Sequence, residues 1–351
     1  VNGQREKANI FLIDGVDNND SFRNQPSFNQ GGVTGAPATL FPIDALGEFN
    51  LQTQGAAEYG RNSGAIVNIA IKSGTNQFHG SAYDFLRNDN LDARNFFERC
   101  PASNPNCPGG GKQEFRNNNF GGVLGGPIIA NRLFFFGGYE GQREFVFSPG
   151  LVRVPTPGDI TNARAINAGL TGGPVRPENQ LSTRLLTLFP TPTSGVATGN
   201  NFSFAAPNKN DSDNFLVKMD YRFSDRFNLN GRYVFGDGSQ TFPLTTGNGS
   251  PLPRYQTVVP TRIQLFGINL SQVLNSRLIN ETRAGYNRYV QFFTPLDAIT
   301  PADPVTAAAT SGLVTGAQTG GLPTIVISGF VSLGAPTNVP RGRVSSAYQF
   351  V

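Results

Sequence analysis

The feature that most constrains the fold of this chain is a series of long segments in which apolar and polar side chains alternate. Within residues 213–224, Phe215 and Val217 alternate with Leu216 and Lys218. A period of two residues puts successive side chains on opposite faces of a β-strand, so each segment has one apolar and one more polar face. Seven such segments are followed by an eighth that we expect to begin near residue 346, and the seven are 78–88, 115–129, 132–145, 213–224, 227–236, 261–274 and 278–293.

The connections between these segments are alternately long and short. The short connections are 130–131, 225–226 and 275–277, and the long ones are 89–114, 146–212, 237–260 and 294–345. A soluble β-sandwich has no reason to alternate in this way, whereas a transmembrane β-barrel has tight turns at one rim and long loops at the other. Each segment is also long enough for a tilted membrane-crossing strand, which takes about 9–11 residues. The pattern predicts a mainly β chain that forms part of an antiparallel transmembrane β-barrel.

Composition excludes several classes of function. The single histidine, His79, rules out a zinc protease motif with two histidines, and two cysteines cannot supply a four-ligand zinc site. The net charge of +4 is small and its Lys and Arg residues are scattered, which argues against a nucleic-acid partner. No apolar run is long enough for a transmembrane helix. We therefore expect no enzyme, no cofactor and no metal site.

Helical periodicity is nearly absent from the sequence. A short helix is expected at residues 183–189 and a helical turn at 44–48, and everything else is predicted to be strand or loop.

Seven stretches resemble one known family. Residues 9–20 (NIFLIDGVDNND), 43–50 (IDALGEFN) and 57–76 (AEYGRNSGAIVNIAIKSGTN) are similar to the second half of the plug domain of TonB-dependent receptors. The following four are similar to the Oar-like branch of these receptors: 78–88 (FHGSAYDFLRN), 92–97 (DARNFF), 120–128 (FGGVLGGPI) and 132–143 (RLFFFGGYEGQR).

The resemblance implies a 22-strand barrel filled by a plug. Residues 1–76 would be the C-terminal half of an α+β plug, and 77–351 the N-terminal part of the barrel with long extracellular loops. It also implies import of a scarce solute (a siderophore, oligosaccharide or peptide) across the outer membrane of a Gram-negative-type bacterium. The expected partners are that solute, the outer-membrane lipid and TonB, which would bind a TonB box that we expect outside this chain.

Two alternatives stay open. One is a surface or adhesion protein on the same barrel, which would bind through its long loops without active uptake. The other is a secreted glycan-active enzyme with a β-rich fold, which would need two carboxylates about 5–10 Å apart across a cleft. No spacing of acidic residues in the sequence selects such a pair.

The plug resemblance directs attention to particular polar residues. Candidates for solute contact at the plug apex are Asp17, Asn18, Asn19, Asp20 and Arg23. Candidates for ion pairs between plug and barrel are Glu48, Glu58 and Arg61 on the plug and Lys218, Arg222 and Arg232 on the barrel wall. Such charges in a wet lumen are worth about 0–1 kcal/mol each.

Three further expectations concern ion binding, cysteines and aromatic residues. Asp14, Asp17 and Asp20 do not fit a calcium loop, since its third position would be Val16, so we expect a solvated turn facing the lumen. Cys100 and Cys107 are expected to form a disulfide in a surface loop. Lipid-facing or interfacial aromatics are expected at Phe134, Phe136, Phe215, Phe223, Phe227, Phe235, Tyr289 and Phe292.

Overall fold

The chain folds into a small N-terminal sheet packed on one face of a much larger one. The structure, a computed structural model, describes Gly3 and residues 5–29, 38–53, 64–93, 114–171, 179–195, 199–243, 249–299 and 321–351. In that part of the chain the strand order is β2-β1-β4-β3 in the N-terminal sheet and β12-β11-β10-β9-β8-β7-β6-β5 in the large sheet.

The N-terminal sheet contains β1 (Ile10–Ile13), β2 (Val16–Asp17), β3 (Leu46–Gln52) and β4 (Ile66–Ile71). β1 pairs parallel with β4, and the other pairs are antiparallel. The turn predicted at 44–48 is a 3-10 turn at Ile43–Ala45, after which β3 begins at Leu46.

The large sheet is an antiparallel meander in which every strand pairs with its neighbours in sequence. Its strands are β5 (His79–Asn88), β6 (Phe115–Ile129), β7 (Leu133–Val152), β8 (Phe202–Ser224), β9 (Phe227–Phe242), β10 (Thr257–Asn275), β11 (Leu278–Pro295) and β12 (Arg341–Phe350). All seven predicted segments are strands, and the eighth begins at Arg341 rather than near 346. Among the described residues β5 and β12 form open edges, so the predicted mainly β, partial barrel sheet is confirmed.

Two strands are much longer than their hydrophobic pattern indicates. β7 and β8 pair without a break from Leu133 opposite Tyr221 to Val152 opposite Phe202. The alternation of apolar and polar residues does not predict this extension, because Pro149 and Pro207 interrupt it. Both prolines nevertheless lie within the paired strands. We call the end of the sheet with the tight connections the turn end, and the opposite end the loop end.

The helices lie in the connections at the loop end. They are α1 (Pro157–Thr171), α2 (Gln180–Leu186) and α3 (Leu296–Ile299). α2 confirms the short helix expected at 183–189, shifted by about one turn, whereas α1 was not predicted. In the described chain, none of the helices has the length and apolar character needed to cross a membrane.

The two faces of the large sheet differ in character. The inner face, on which the N-terminal sheet packs, has an apolar core with Phe136, Leu216, Val234, Ile263, Leu265 and Tyr289 opposite Ile13, Val16, Phe28 and Phe41. The outer face exposes large apolar side chains, among them Phe215, Val217, Met219, Phe223, Phe266 and Phe292.

Three aromatic residues were predicted on the wrong face. Phe136 and Tyr289 are buried in the inner core, and Phe134 lies on the same face as Phe136 because it is two residues away on one strand. Phe215, Phe223, Phe227 and Phe292 do lie exposed. The N-terminal sheet supplies an apolar surface that the inner face must match, which strand periodicity alone does not reveal.

A second core lies in the loops rather than between the sheets. Its buried members are Val154, Leu188, Leu252, Tyr255, Leu322, Val331 and Leu333. They come from three different long connections, so these loops fold together at the loop end.

Candidate functional site

A buried polar contact between the two sheets is built around Asp14. Asp14 and Gly15 form the turn between β1 and β2, with φ of 47° and 79°. Left-handed conformations at both central residues are typical of tight hairpin turns, and Asp-Gly is among the pairs that adopt them best. The turn presents the carboxylate of Asp14 to β8 and β9.

Asp14 binds both sheets at once. Its Oδ1 accepts a hydrogen bond of 2.9 Å from the backbone N–H of Ile71 on β4. Its Oδ2 lies 3.3 Å from Nζ of Lys218 and 3.6 Å from Nε of Arg232. The side chain of Asp14 is 10% exposed, and that of Arg232 is fully buried.

Lys218 and Arg232 also donate to the backbone of the N-terminal sheet. Nζ of Lys218 donates to the carbonyl oxygen of Ile71 at 2.9 Å. Nη2 of Arg232 donates to the carbonyl oxygens of Asp14 at 2.7 Å and Ile13 at 3.2 Å. Two barrel cations and one carboxylate thus form a compact network, which we call the Asp14 network.

A second ion pair joins β12 to the N-terminal unit, by which we mean the N-terminal sheet together with the described segments that connect its strands. Nη1 of Arg343 lies 2.8 Å from Oδ2 of Asp20, whose side chain is fully buried. Nη2 of Arg343 donates to the hydroxyl of Tyr289 at 2.8 Å. Asp20 also accepts from the backbone N–H groups of Phe22 and Arg23, which shapes the turn after it.

The residues predicted to contact solute are mostly occupied by the protein itself. Asn18, Asn19 and Asp20 are each at most 3% exposed. Asn19 accepts from the backbone N–H of Phe11 and donates to the carbonyl oxygen of Asn9. In this conformation their side chains hold the turn together, and a contact with solute stays a prediction.

The remaining apex residues are more accessible. Asp17 is half-buried, its backbone N–H donates to Gln349 on β12, and its carboxylate accepts from the backbone N–H of Asn19. Arg23 is half-buried beside Phe22, which is 77% exposed. Sequence reasoning missed Phe22, which has no polar signal.

The structure brings together only part of the predicted ion-pair set. Lys218 and Arg232 contact the N-terminal unit as described, through Asp14 rather than through the predicted acidic residues. Glu48 and Arg222 are exposed, and neither has an ion pair within the described residues. Glu58 and Arg61 lie outside the described residues, as do Cys100 and Cys107.

The expectation that the Asp14–Asp20 turn is solvated is wrong. Asp14 and Asp20 are buried and paired with cations of the large sheet. The signal that could have found Asp14 is the Asp-Gly turn directly after an apolar strand, opposite two inward cations on adjacent strands.

The chemistry of this site is attachment rather than catalysis. Within the described chain, no three His, Cys, Asp or Glu side chains cluster closely enough to hold a metal ion. Removing one partner of a buried ion pair costs about 3–5 kcal/mol, because the other charge stays buried without compensation. The Asp14 network therefore stabilises one docked position of the N-terminal sheet.

Comparisons with known proteins agree with this architecture. The family described as "Outer membrane beta barrel domain" matches residues 70–351. The chain is 30% identical over 141 residues to the TonB-dependent transporter Oar of Myxococcus xanthus, which covers 40% of this chain and 12% of that protein. This match confirms the resemblance to TonB-dependent receptors seen in the motifs.

A solved structure shows the same fold. The outer membrane transporter YddB from Escherichia coli is similar with a TM-score of 0.53 and 14% identity, covering 98% of this chain and 37% of YddB. The siderophore receptor PirA from Acinetobacter baumannii has a TM-score of 0.48 and 12% identity, covering 100% of this chain and 38% of PirA.

The chain spans only a part of each of these proteins, at most 38% of their length. Their names are those of transporters and receptors, in agreement with the expectation that the chain is not an enzyme. From the family match over most of its length and the barrel-type sheet, the chain belongs to the family of outer membrane beta barrel domains and is located in the outer membrane.

Proposed function

We propose that the chain is part of a TonB-dependent importer, in which the N-terminal sheet belongs to a plug that fills the barrel lumen. Residues 1–76 would be the C-terminal half of this plug and residues 77–351 the first part of the barrel wall. The single observation that carries the proposal is that the N-terminal sheet is attached to the inner face through the Asp14 network, between two strands of the wall.

Besides the apolar core between the two sheets, the attachment has a polar part that suits a plug that must move. When a buried apolar contact separates, both surfaces lose favourable burial in full. When Asp14 separates from Lys218 and Arg232 in a wet lumen, water hydrates all three charges and offsets much of the lost attraction. We infer that TonB pulls the plug away from this network and opens a path for the solute.

A tether between the plug and the wall tests this function. The backbone nitrogen of Ser21 lies 3.3 Å from Oγ of Ser345 on β12. We suggest the full-length protein with Ser21→Cys and Ser345→Cys, in a background with Cys100→Ser and Cys107→Ser. Ser345→Cys alone in the same background is the matched control.

Energised uptake of candidate solutes by cells is the measurement. We expect oxidation to abolish uptake in the tethered variant, reduction to restore it, and the control to transport in both conditions. Uptake that continues through the oxidised tether would contradict a moving plug.

The adhesion alternative is favoured by one observation. The long connections form the loop core around Tyr255 and Leu333, with Val326 and Ile327 exposed beside it. A surface protein of this kind would bind its target equally well in cells that lack TonB, and no candidate solute would enter the cell in a TonB-dependent manner.

A further inference from the structure

A second group of charged side chains lies on the inner face, nearer the loop end than the Asp14 network. Arg341 and Arg343 belong to this face because they pair across β11 with Phe293 and Gln291, both buried there. The backbone N–H of Arg23, on the turn of the N-terminal unit, donates to Oδ2 of Asp20 at 3.3 Å, and the same oxygen lies 2.8 Å from Nη1 of Arg343. The plug side and the wall side thus bring three arginines together.

The negative charge at this place does not match the three arginines. The carboxylate of Asp20 is committed to Arg343 at 2.8 Å. Arg23 and Arg341 have no carboxylate partner among the residues that the structure describes. Within the described part of the chain, these three residues, which we call the arginine cluster (Arg23, Arg341 and Arg343), therefore have more positive than negative charge around them.

Aromatic rings hold the two wall arginines in place. The guanidinium of Arg341 lies 4.3 Å from the centre of the Phe293 ring, and that of Arg343 lies 4.3 Å from the centre of the Tyr289 ring. Stacking uses the face of a guanidinium and leaves its N–H groups at the edge to donate. Arg341 is exposed, so its donors are available to a ligand.

Several other cations of the chain do have a carboxylate partner, unlike Arg23 and Arg341. On the inner face, Lys218 and Arg232 share the carboxylate of Asp14, at 3.3 Å and 3.6 Å. On the outer face, Arg143 pairs with Asp213 at 2.8 Å, and Arg262 pairs with Asp237 at 2.9 Å. The positive charge of Arg23 and Arg341 on the inner face therefore favours the binding of an anionic ligand.

We propose that Arg23 and Arg341 form a binding site for the oxyanion groups of an anionic solute, between the tip of the N-terminal unit and the barrel wall. Arg343 positions the site through Asp20 and Tyr289. Because planar guanidinium forks match carboxylate and phosphate oxygens, the site takes solutes with at least two such groups and discriminates against neutral oligosaccharides. The inference that this solute is imported rests on the proposed function. The inference that it binds to the site does not.

Binding to the purified full-length receptor in detergent tests the site without TonB. Isothermal titration calorimetry at low ionic strength would compare citrate and pyrophosphate with the neutral maltotriose. The variants are Arg23→Gln, Arg341→Gln and the pair, and the matched control is Arg288→Gln, next to Tyr289 on β11 but on the outer face. Circular dichroism melting would show that each variant stays folded.

We expect the oxyanion probes to bind and maltotriose not to bind. Each arginine variant should weaken binding about tenfold, and the control should bind as the unmodified protein does. Absence of binding by both oxyanion probes, or equal binding by the double variant, would overturn the proposal. Anion binding without energised uptake would refute the import function alone, and uptake of maltotriose without anion binding would refute this inference alone.

Discussion

At the scale of single residues, Asp14 concentrates the attachment of the two sheets. Its carboxylate is the common partner of a β4 amide and of two cations on β8 and β9. The cations are held between backbone carbonyls of the N-terminal unit, so they cannot turn away to find other partners.

Replacing Asp14 should therefore destabilise the docked state. We expect Asp14→Ala to lower the free energy of unfolding by about 3–5 kcal/mol, because Lys218 and Arg232 stay buried and lose the carboxylate with which they pair. Circular dichroism in urea would measure this, since the chain contains no Trp for fluorescence. The matched control Asp237→Ala breaks an exposed pair with Arg262 and should cost at most about 1 kcal/mol. Equal effects of the two variants would contradict the argument.

At the scale of elements, α1 shows how local chemistry fixes a helix in a loop. Thr156 and Asp159 form a reciprocal cap: the carboxylate accepts from the backbone N–H of Thr156 at 2.9 Å, and Oγ1 of Thr156 accepts from the N–H of Asp159 at 3.1 Å. Pro157 occupies the first helical position, where its missing N–H is harmless.

This cap predicts a pH dependence for α1. The hydrogen bond from the backbone of Thr156 lowers the pKa of Asp159 below its ordinary value of 3.8. A carboxyl with a lowered pKa stabilises the folded state above the unfolded pKa, and this stabilisation is lost as pH falls through the folded pKa. After correction for the intrinsic pH dependence of amide exchange, the protection factors of α1 amides should fall on acidification in the unmodified protein, and Asp159→Asn should remove most of this change. If protection of α1 changes on acidification in Asp159→Asn as it does in the unmodified protein, another titrating group is responsible.

For Asp297 in α3, we expect a pH dependence of stability with the opposite sign. Burial raises the pKa of Asp297 above 3.8, while its Oδ2 accepts from the backbone N–H of Leu322 at 2.7 Å. The stability it contributes is complete below the unfolded pKa and is lost as pH rises through the folded pKa. Asp297→Asn keeps an acceptor and removes the charge, so the protection factor of the Leu322 amide, which corrects for intrinsic exchange, should no longer change with pH. If protection of the Leu322 amide depends on pH as strongly in Asp297→Asn as in the unmodified protein, Asp297 is not the group responsible.

At the scale of the whole molecule, close backbone approach seats the N-terminal unit on the wall. A Cβ on Gly238 of β9 would overlap the carbonyl oxygen of Ala38, and one on Gly285 of β11 would meet Val16 at 2.5 Å. Both glycines lie on the inner face. Glycine at these positions allows contact between the sheets that a side chain would prevent.

Gly238→Ala should therefore loosen the N-terminal unit. We expect a lower melting temperature and faster proteolysis of residues 38–53 in the full-length protein, because the segment at Ala38 must shift. Gly231→Ala on the same strand has open space around the added Cβ and should stay close to the unmodified protein. Undisturbed proteolysis in Gly238→Ala would show that this contact does not hold the unit.

The exposed apolar side chains of the outer face indicate where the hydrocarbon layer of the membrane lies. Phe215, Val217 and Met219 form an exposed apolar run on β8, which ends where Asp213 pairs with Arg143. Met219→Arg in lipid vesicles should cost about 2–4 kcal/mol of unfolding free energy, and Asp211→Arg beyond the run about 0–1 kcal/mol. A reversed order of the two costs would place the hydrocarbon layer elsewhere.

The sequence by itself determined the strands of the large sheet and their order. Alternation of the kind seen around Phe215 and Lys218 depends only on the geometry of the local backbone, so it can be read without knowing the fold. The alternating connection lengths then indicate the antiparallel meander. The helix α1 could also have been found, because its Thr156–Asp159 cap is a local signal.

Only the tertiary structure decided which charges meet and which aromatics are buried. Asp14, Lys218 and Arg343 are far apart in the sequence, and no local pattern states which of several inward cations a turn will touch. Phe136 and Tyr289 face inward because the N-terminal sheet covers them, which strand periodicity cannot show. The Asp14 network and the arginine cluster arise from packing between distant segments, since each needs side chains from both sheets.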